Sequence, residues 1–306
     1  MSRPTKVCLV LGGGGARGLA HLGVLQVLER EDIAVDCILG TSVGAVVGAC
    51  YSINPDALAE TRKALAYFNS EAFAGNPFKK VFLKSEDVER NFFSNLVSSI
   101  KKSYVFSNLL RRKSIFPGEK LFEVIADLVP DKEFADARIP FAVPALDLHS
   151  GQEVLITEGR LRTAVHASCS LPGFFPPVEH GGRLLADAGV IGPVPVSAAR
   201  ERFRPDVAIA VDITSSIQPL ATLSSGLDVI LRVEAIAGTR LNALELEKAD
   251  VVITPDVGRK YWSDFSGLEQ LITEGVLAAE AKLPEIREAL LRKRRSFFWS
   301  RLTSAR

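Results

Sequence analysis

The chain predicts an α/β domain on a central, mostly parallel sheet, and three observations predict it. Apolar runs alternate with helix-like segments, and several runs are continuously apolar, as strands covered on both faces must be. A G-x-S-x-G, Gly40-Thr41-Ser42-Val43-Gly44, stands between two apolar runs, the form of a strand turning sharply into a helix. The 306 residues, 47% hydrophobic, supply core for one large domain or two small ones. With no internal repeat or low-complexity linker, we read one domain over 1–290 and a basic aromatic tail over 291–306.

Strand-like runs fall at 6–11, 35–39, 140–146, 152–157, 206–212 and 250–254. A further apolar strand leads into Asp187. Asn54-Pro55-Asp56 reads as a helix N-cap, a proline at the first helical position and an acid in the first turn. Asp147 to Gln152 reads as a hairpin turn, and 266–295 as one long amphipathic helix or two. The stretch 70–116 breaks the alternation. It holds seven of the seventeen phenylalanines, and between 79 and 113 it has nine Lys or Arg against three acids. It is either a helical insertion with a solvated basic side or a lid over a lipid site. The tail Arg292-Lys293-Arg294-Arg295-Ser296-Phe297-Phe298-Trp299 repeats that mixture: a frayed basic terminus, or an anchor at an anionic surface.

Net charge is +1, so no global field points to nucleic acid. Cys8, Cys37, Cys50 and Cys169 lie in apolar contexts without metal-ligand spacing and read as reduced packing residues of a cytoplasmic protein. The N-terminal apolar run ends after five residues in glycines and Arg17, too short and too polar for a secretion signal. Cys37 to Ile53 is uncharged for 17 residues but carries three glycines, two serines and a threonine. It reads as strand–turn–helix, not as a membrane span.

A serine hydroxyl needs a base. The α/β-hydrolase order is serine, acid, histidine, yet the four histidines are His21, His149, His166 and His180, none of them late in the chain. Asp147 with His166 is the one pairing that fits a triad. Asp187, which leaves an apolar strand and precedes Ala188-Gly189, is the other candidate. A desolvated carboxylate can take the serine proton itself. Upstream, Gly12-Gly13-Gly14-Gly15-Ala16-Arg17-Gly18 follows an apolar strand and offers a row of amides to an oxyanion. Its rival reading is a dinucleotide fingerprint, Gly13-x-Gly15-x-x-Gly18. That reading wants an acid ending the second strand, where Gly40-Thr41-Ser42 stands instead. A phosphate-binding P-loop would need Gly-Lys-Ser/Thr, which Arg17-Gly18 does not provide.

Four blocks in order, Gly12 to Gly18, Gly40 to Gly44, Ala167-Ser168-Cys169-Ser170-Leu171-Pro172-Gly173-Phe174-Phe175-Pro176-Pro177 and Asp187-Ala188-Gly189, resemble the patatin-like phospholipase family. The resemblance is to its bacterial branch, akin to the catalytic domain of neuropathy target esterase. It implies a three-layer α/β/α fold and acyl hydrolysis of phospholipids or lysophospholipids, with no metal and no cofactor. It implies Ser42 as nucleophile and Asp187 as its sole partner. It further implies Gly13, Gly14, Gly15 and Ala16 as the oxyanion loop, shaped by Arg17 and Gly18. Asp-Ala-Gly replaces the family's frequent Asp-Gly-Gly, and His166 stands where many relatives carry Arg. His21 is expected to pack or to support the site. The partners expected are a lipid ester and peripheral contact with the inner face of the membrane. A non-catalytic regulator on the same fold is the alternative.

Overall fold

Five parallel strands carry the computed structural model, which describes residues 5–74, 114–217, 219, 223, 226–258, 260 and 264–304. They are β1 (Val7–Leu11), β2 (Cys37–Gly40), β3 (Phe141–Asp147), β7 (Val207–Val211) and β8 (Val251–Ile253). Their order across the sheet is β3-β2-β1-β7-β8. Three antiparallel strands complete one end: β4 (Glu153–Ile156), β5 (Val178–His180) and β6 (Arg183–Asp187). The sheet is therefore mixed, parallel at its centre and antiparallel at one end.

Strand alternation sorts two cores. Val7, Leu9 and Leu11 of β1, with Val207, Ile209 and Val211 of β7, face the larger one. It is covered by α1 (Leu19–Arg30), α2 (Val43–Ile53) and α9 (Leu268–Ser304). Cys8, Val10, Ala208 and Ala210 point to the opposite face, where α7 (Val196–Phe203) packs. Helices on both faces give the expected three layers. The helix α8 (Gly226–Leu246) lies over α7, held by Glu245, which accepts from the Ser197 amide at 2.8 Å and hydroxyl at 2.9 Å.

The strand β3 decides where the site falls. Pro140 O accepts from Ile38 N–H of β2, while Leu148 N–H donates to Leu184 O of β6. The even-numbered backbone groups of β3 thus serve both partners. Asp147 N–H, an odd position, turns the other way to Gln152 O at the β4 hairpin. So β2 and β6 share one edge of β3 and run toward each other along it. β2 pairs with Phe141 and Ala142, and β6 with Ala145 to Asp147. Pro144, which has no N–H to give, stands in the gap between them.

The expected strand runs all appear, as does the hairpin turn at 147–152. Cys37 to Ile53 is β2 followed by α2. Two details differ. β5 was not anticipated, because it is three residues long; the signal present was Gly181-Gly182, both at positive φ, which close the β5–β6 hairpin. The helix α3 (Ala57–Phe68) starts later than expected. Asn54 N–H finishes α2 on Cys50 O, so it is Asp56 whose carboxylate accepts from Ala59 N–H at 2.8 Å and caps α3. The C-terminal stretch is one helix carrying Pro284, continuous across residue 290. The short helix α4 (Glu71–Ala74) and α5 (Gly118–Leu128) flank the phenylalanine-rich segment, whose residues 75–113 lie outside the described residues. The tail side chains from 294 onward lie outside them too.

The cap assignment predicts a contrast. Asp56→Ala costs about 1 kcal/mol of stability, whereas Asn54→Ala costs a few tenths. Urea unfolding of the two variants reads the difference, and equal midpoints contradict it.

Candidate active site

Three arms meet at the C-terminal ends of β1 and β2. The first is the turn from β2 into α2. Ser42 sits at φ 54° and ψ −121°, a conformation costly for a residue with a Cβ. The surroundings over-determine it. Thr41 N–H donates to Leu11 O at 3.0 Å, Ser42 N–H to the Ser168 hydroxyl at 3.0 Å, and Gly44 N–H to Thr41 O at 2.8 Å. A Cβ on Gly40 would meet Gly44 O at 2.2 Å, and one on Gly44 would meet Leu11 O at the same distance. Glycine at both positions is what lets the helix begin against the strands. Val43 packs on Gly18, locking this turn to the glycine loop.

The second arm is that loop. Gly12 N–H donates to Val211 O and Gly13 N–H to Pro193 O. The imidazole of His21 meets Gly12 O at 2.8 Å, and Arg17 Nε donates to Gly14 O at 3.0 Å. Gly15 to Gly18 form a 3₁₀ turn leading into α1. With both carbonyls tied back, the N–H groups of Gly14 and Gly15 carry no backbone hydrogen bond among the described residues. Gly13 lies so near Ser42 that a Cβ there would be 3.4 Å from the serine Cβ. Arg17 is buried, and burial lowers its pKa to about 10, partly offset by the charge of Asp212. It remains a cation at neutral pH.

The third arm is β6. Asp187 is 4% exposed at its end. Its N–H donates to Ser170 O at 3.0 Å, and its Oδ1 accepts from Gly189 N–H at 2.7 Å, the start of the 3₁₀ turn Ala188–Val190. Burial lifts the carboxyl to about 6, against the opposing pull of the Ser42 hydroxyl and the Gly189 amide. Ser42 and Asp187 are thus brought together from strands that face each other along β3.

Two residues to which the sequence assigns no role, Ser168 and Ser170, hold these arms. The helix α6 (Leu161–Cys169) ends in a strap: Ser168 holds the Ser42 amide, and Ser170 holds the Asp187 amide. Cys169 between them interacts with the Ser42 hydroxyl and feels the charge of Asp187. Burial and that neighbouring carboxylate push its thiol well above the ordinary range, so it is an inert, protonated wall group. The available signal was Ser168 in the third block; the Ser170 contact is made by its backbone carbonyl, which no side chain announces.

The Asp147–His166 pairing is not assembled. The Asp147 carboxylate accepts from Ser150 Oγ at 2.7 Å and His149 N–H at 3.1 Å, closing the hairpin. His166 packs edge-on to Phe122 of α5, 5.4 Å between ring centroids. Neither lines the cavity that holds Ser42. That cavity measures about 400 Å³ and contains Gly13 to Arg17, Ser42, Asp187 and Gly189 on one wall. Leu22, Val46, Phe68, Leu121, Phe175 and Phe265 supply much of the apolar remainder. Such a space suits a flexible hydrocarbon chain more than a polar ligand. Among the described residues no cluster of three or more His, Cys, Asp or Glu side chains gathers to hold a metal, and no helix is long and apolar enough to cross a membrane.

Known proteins share this chain's pattern. An uncharacterized NTE family protein of Mycobacterium bovis is 32% identical over 216 residues, covering 70% of this chain and 51% of that protein. Patatin-like phospholipase domain-containing protein 7 of Rattus norvegicus is 30% identical over 211 residues, 68% of this chain and 14% of its own length. The chain thus spans about half the length of the mycobacterial relative. A looser likeness, TM-score 0.49 at 12% identity, covers 95% of this chain and 68% of VipD from Legionella pneumophila. The model of the family described as patatin-like phospholipase matches residues 9–200, a span that takes in more than half the chain and all three arms of the site. The chain belongs to the patatin-like phospholipase family.

Proposed function

We propose that the chain is a serine acyl hydrolase of phospholipids or lysophospholipids, working through Ser42 and Asp187. One observation carries the reading: a serine in a strained strand-to-helix turn faces a buried carboxylate, at the head of an apolar cavity. Four free thiols suit a reducing compartment, so we place the enzyme in the cytoplasm, meeting lipid at the inner face of the membrane.

The chemistry follows from the groups present. The acyl chain occupies the apolar cavity and its ester carbonyl lies against the glycine loop. Asp187 accepts the hydroxyl proton as Ser42 Oγ bonds to the carbonyl carbon, and the carbonyl π electrons move to oxygen. The oxyanion is met by the Gly14 and Gly15 amides, each such donor being worth about 3 kcal/mol in the transition state. As the tetrahedral species collapses, the C–O bond to the alcohol breaks and the proton on Asp187 passes to the leaving oxygen. Water then attacks the acyl-serine, giving its proton to Asp187, and the second collapse returns that proton to Ser42 Oγ and frees the fatty acid. Burial supports a lone carboxylate in this role: at about 6, Asp187 is a far stronger base than an exposed aspartate, yet ionised at neutral pH.

Ser42→Ala and Asp187→Asn each lose about a thousandfold or more in hydrolysis of a chromogenic short-chain ester, and Ser42→Ala also loses fluorophosphonate labelling. Retained activity in either folded variant sinks the dyad. A wild-type protein that is folded yet never labelled at Ser42 points to the non-catalytic alternative.

The base must be ionised, so kcat/KM rises with pH and is half-maximal near pH 6, where Asp187 titrates. A profile that instead climbs through the ordinary carboxylate range near about 4 refutes the buried-base assignment.

Stability runs the opposite way. The folded carboxyl binds its proton more tightly than the unfolded one does, so this contribution is present below an unfolded value of 3.8 and is lost as pH rises through about 6. Asp187→Asn is therefore more stable than wild type at pH 8, by up to about 3 kcal/mol, with the advantage vanishing near pH 4. Guanidinium unfolding at the two pH values checks the sign.

A further inference from the structure

One buried polar group that the mechanism above leaves unused is His21. It lies on α1, fully excluded from solvent. Its Nε2 is 2.8 Å from Gly12 O, which can only accept, so the proton is on Nε2. That leaves Nδ1 a bare lone pair, buried and without a hydrogen-bond partner among the described residues. An apolar side chain would fill the space without that cost, so the donor itself needs a reason.

The reason lies in the peptide it grips. A trans peptide points its C=O and its N–H in opposite directions. The unit joining Gly12 to Gly13 is clamped at both ends: its carbonyl by His21 and its N–H by Pro193 O at 3.0 Å. The unit joining Gly14 to Gly15 is held at its carbonyl end by Arg17 Nε. Two side chains from the following turn and helix thus hold the Gly12 and Gly14 carbonyls, and the Gly15 N–H points away from the Gly14 carbonyl that Arg17 holds. The first clamp also sets where Gly13 stands, in van der Waals range of the Ser42 Cβ position.

We propose that His21 is a positioning residue for acyl transfer: its Nε2–H fixes the Gly12–Gly13 peptide and thereby aims the Gly14 and Gly15 amides at the oxyanion above Ser42. This rests on the hydrolase reading. Burial holds the imidazole at about 4, so it stays neutral wherever Asp187 is ionised, and it takes no proton in the cycle. His21 touches neither substrate nor the reacting atoms; it acts through the loop.

The test compares His21→Phe, which keeps a ring and removes the donor, with His21→Gln, whose amide nitrogen reaches the Nε2 position. Each is assayed by steady-state ester hydrolysis and by the second-order rate of fluorophosphonate labelling, with thermal unfolding confirming the fold. His21→Phe is expected to lose about a hundredfold in kcat with KM changed less than about twofold, because the amides no longer meet the oxyanion. Labelling slows in parallel, since the phosphonyl oxygen uses the same amides. His21→Gln is expected to recover most of the loss. If the Phe variant does not fold, His21→Met, similar in length to Gln but without the amide, takes its place. The proposal falls if the donorless variant keeps its kcat and labelling rate, or if the Gln variant falls as far as the donorless one. Failure of the hydrolase reading looks different: it shows as undiminished hydrolysis in Ser42→Ala, whatever residue stands at 21.

Discussion

The site exists because one strand edge is shared. On a purely parallel sheet the neighbour beyond β2 would lie alongside it for its whole length, and the residue after β2 would look out over solvent. Here the edge of β3 is divided. β2 takes the first part and β6, arriving from the opposite direction, takes the second, with Pro144 at the junction where no donor is needed. Two chain ends therefore confront each other inside the sheet layer. Their terminal residues are Ser42, just past β2, and Asp187, closing β6. Register, not loop flexibility, sets their approach.

Rigidity at that meeting point comes from hydrogen bonds to the backbone amides of Ser42 and Asp187. The turn at Ser42 is strained and Asp187 is desolvated, and each is individually unfavourable. The strap at the end of α6 holds both at once: Ser168 fixes the amide at one end, and Ser170 fixes the amide at the other. Distortion of the strap therefore moves Ser42 and Asp187 together. The glycine loop, by contrast, is tied to β7, to Pro193 and to its own helix, and reaches the serine mainly through the Val43–Gly18 and Gly13–Ser42 contacts. Two supports, independent of each other, converge on one side chain.

What the sequence disclosed was local, and what it hid was long-range. Gly40-Thr41-Ser42-Val43-Gly44 announces a crowded turn because crowding selects glycine at fixed offsets, and Gly12 to Gly18 announces exposed amides for a similar reason. Apolar runs of five to seven residues located the main strands and the two-sided burial of the sheet. β5 escaped notice because three residues carry too little periodicity, although Gly181-Gly182 marked its hairpin. Sequence alone points to Asn54 as the cap of α3 because Asn and Asp offer the same chemistry; the claim of α2 on Asn54 shifts the cap to Asp56. Asp147 and His166 looked like partners by residue type alone, while their partners in space are a hairpin serine and a phenylalanine. The division of the β3 edge is invisible in any window of sequence, since it joins β2 (Cys37–Gly40), β3 (Phe141–Asp147) and β6 (Arg183–Asp187).

The crowding at Gly40 and Gly44 has a consequence for how such a protein diversifies. Those positions admit no larger side chain, because backbone oxygens already occupy the space where a Cβ would go. The apolar side of the cavity is different: Leu22, Val46, Phe68, Leu121, Phe175 and Phe265 come from separate stretches of the chain and line it with side chains. Exchange among aliphatic and aromatic residues there reshapes the cavity at modest cost. Tolerance to substitution is therefore partitioned by geometry: the turn at Ser42 admits almost none, while the lining can change the length and width of the space without moving Ser42 or Asp187.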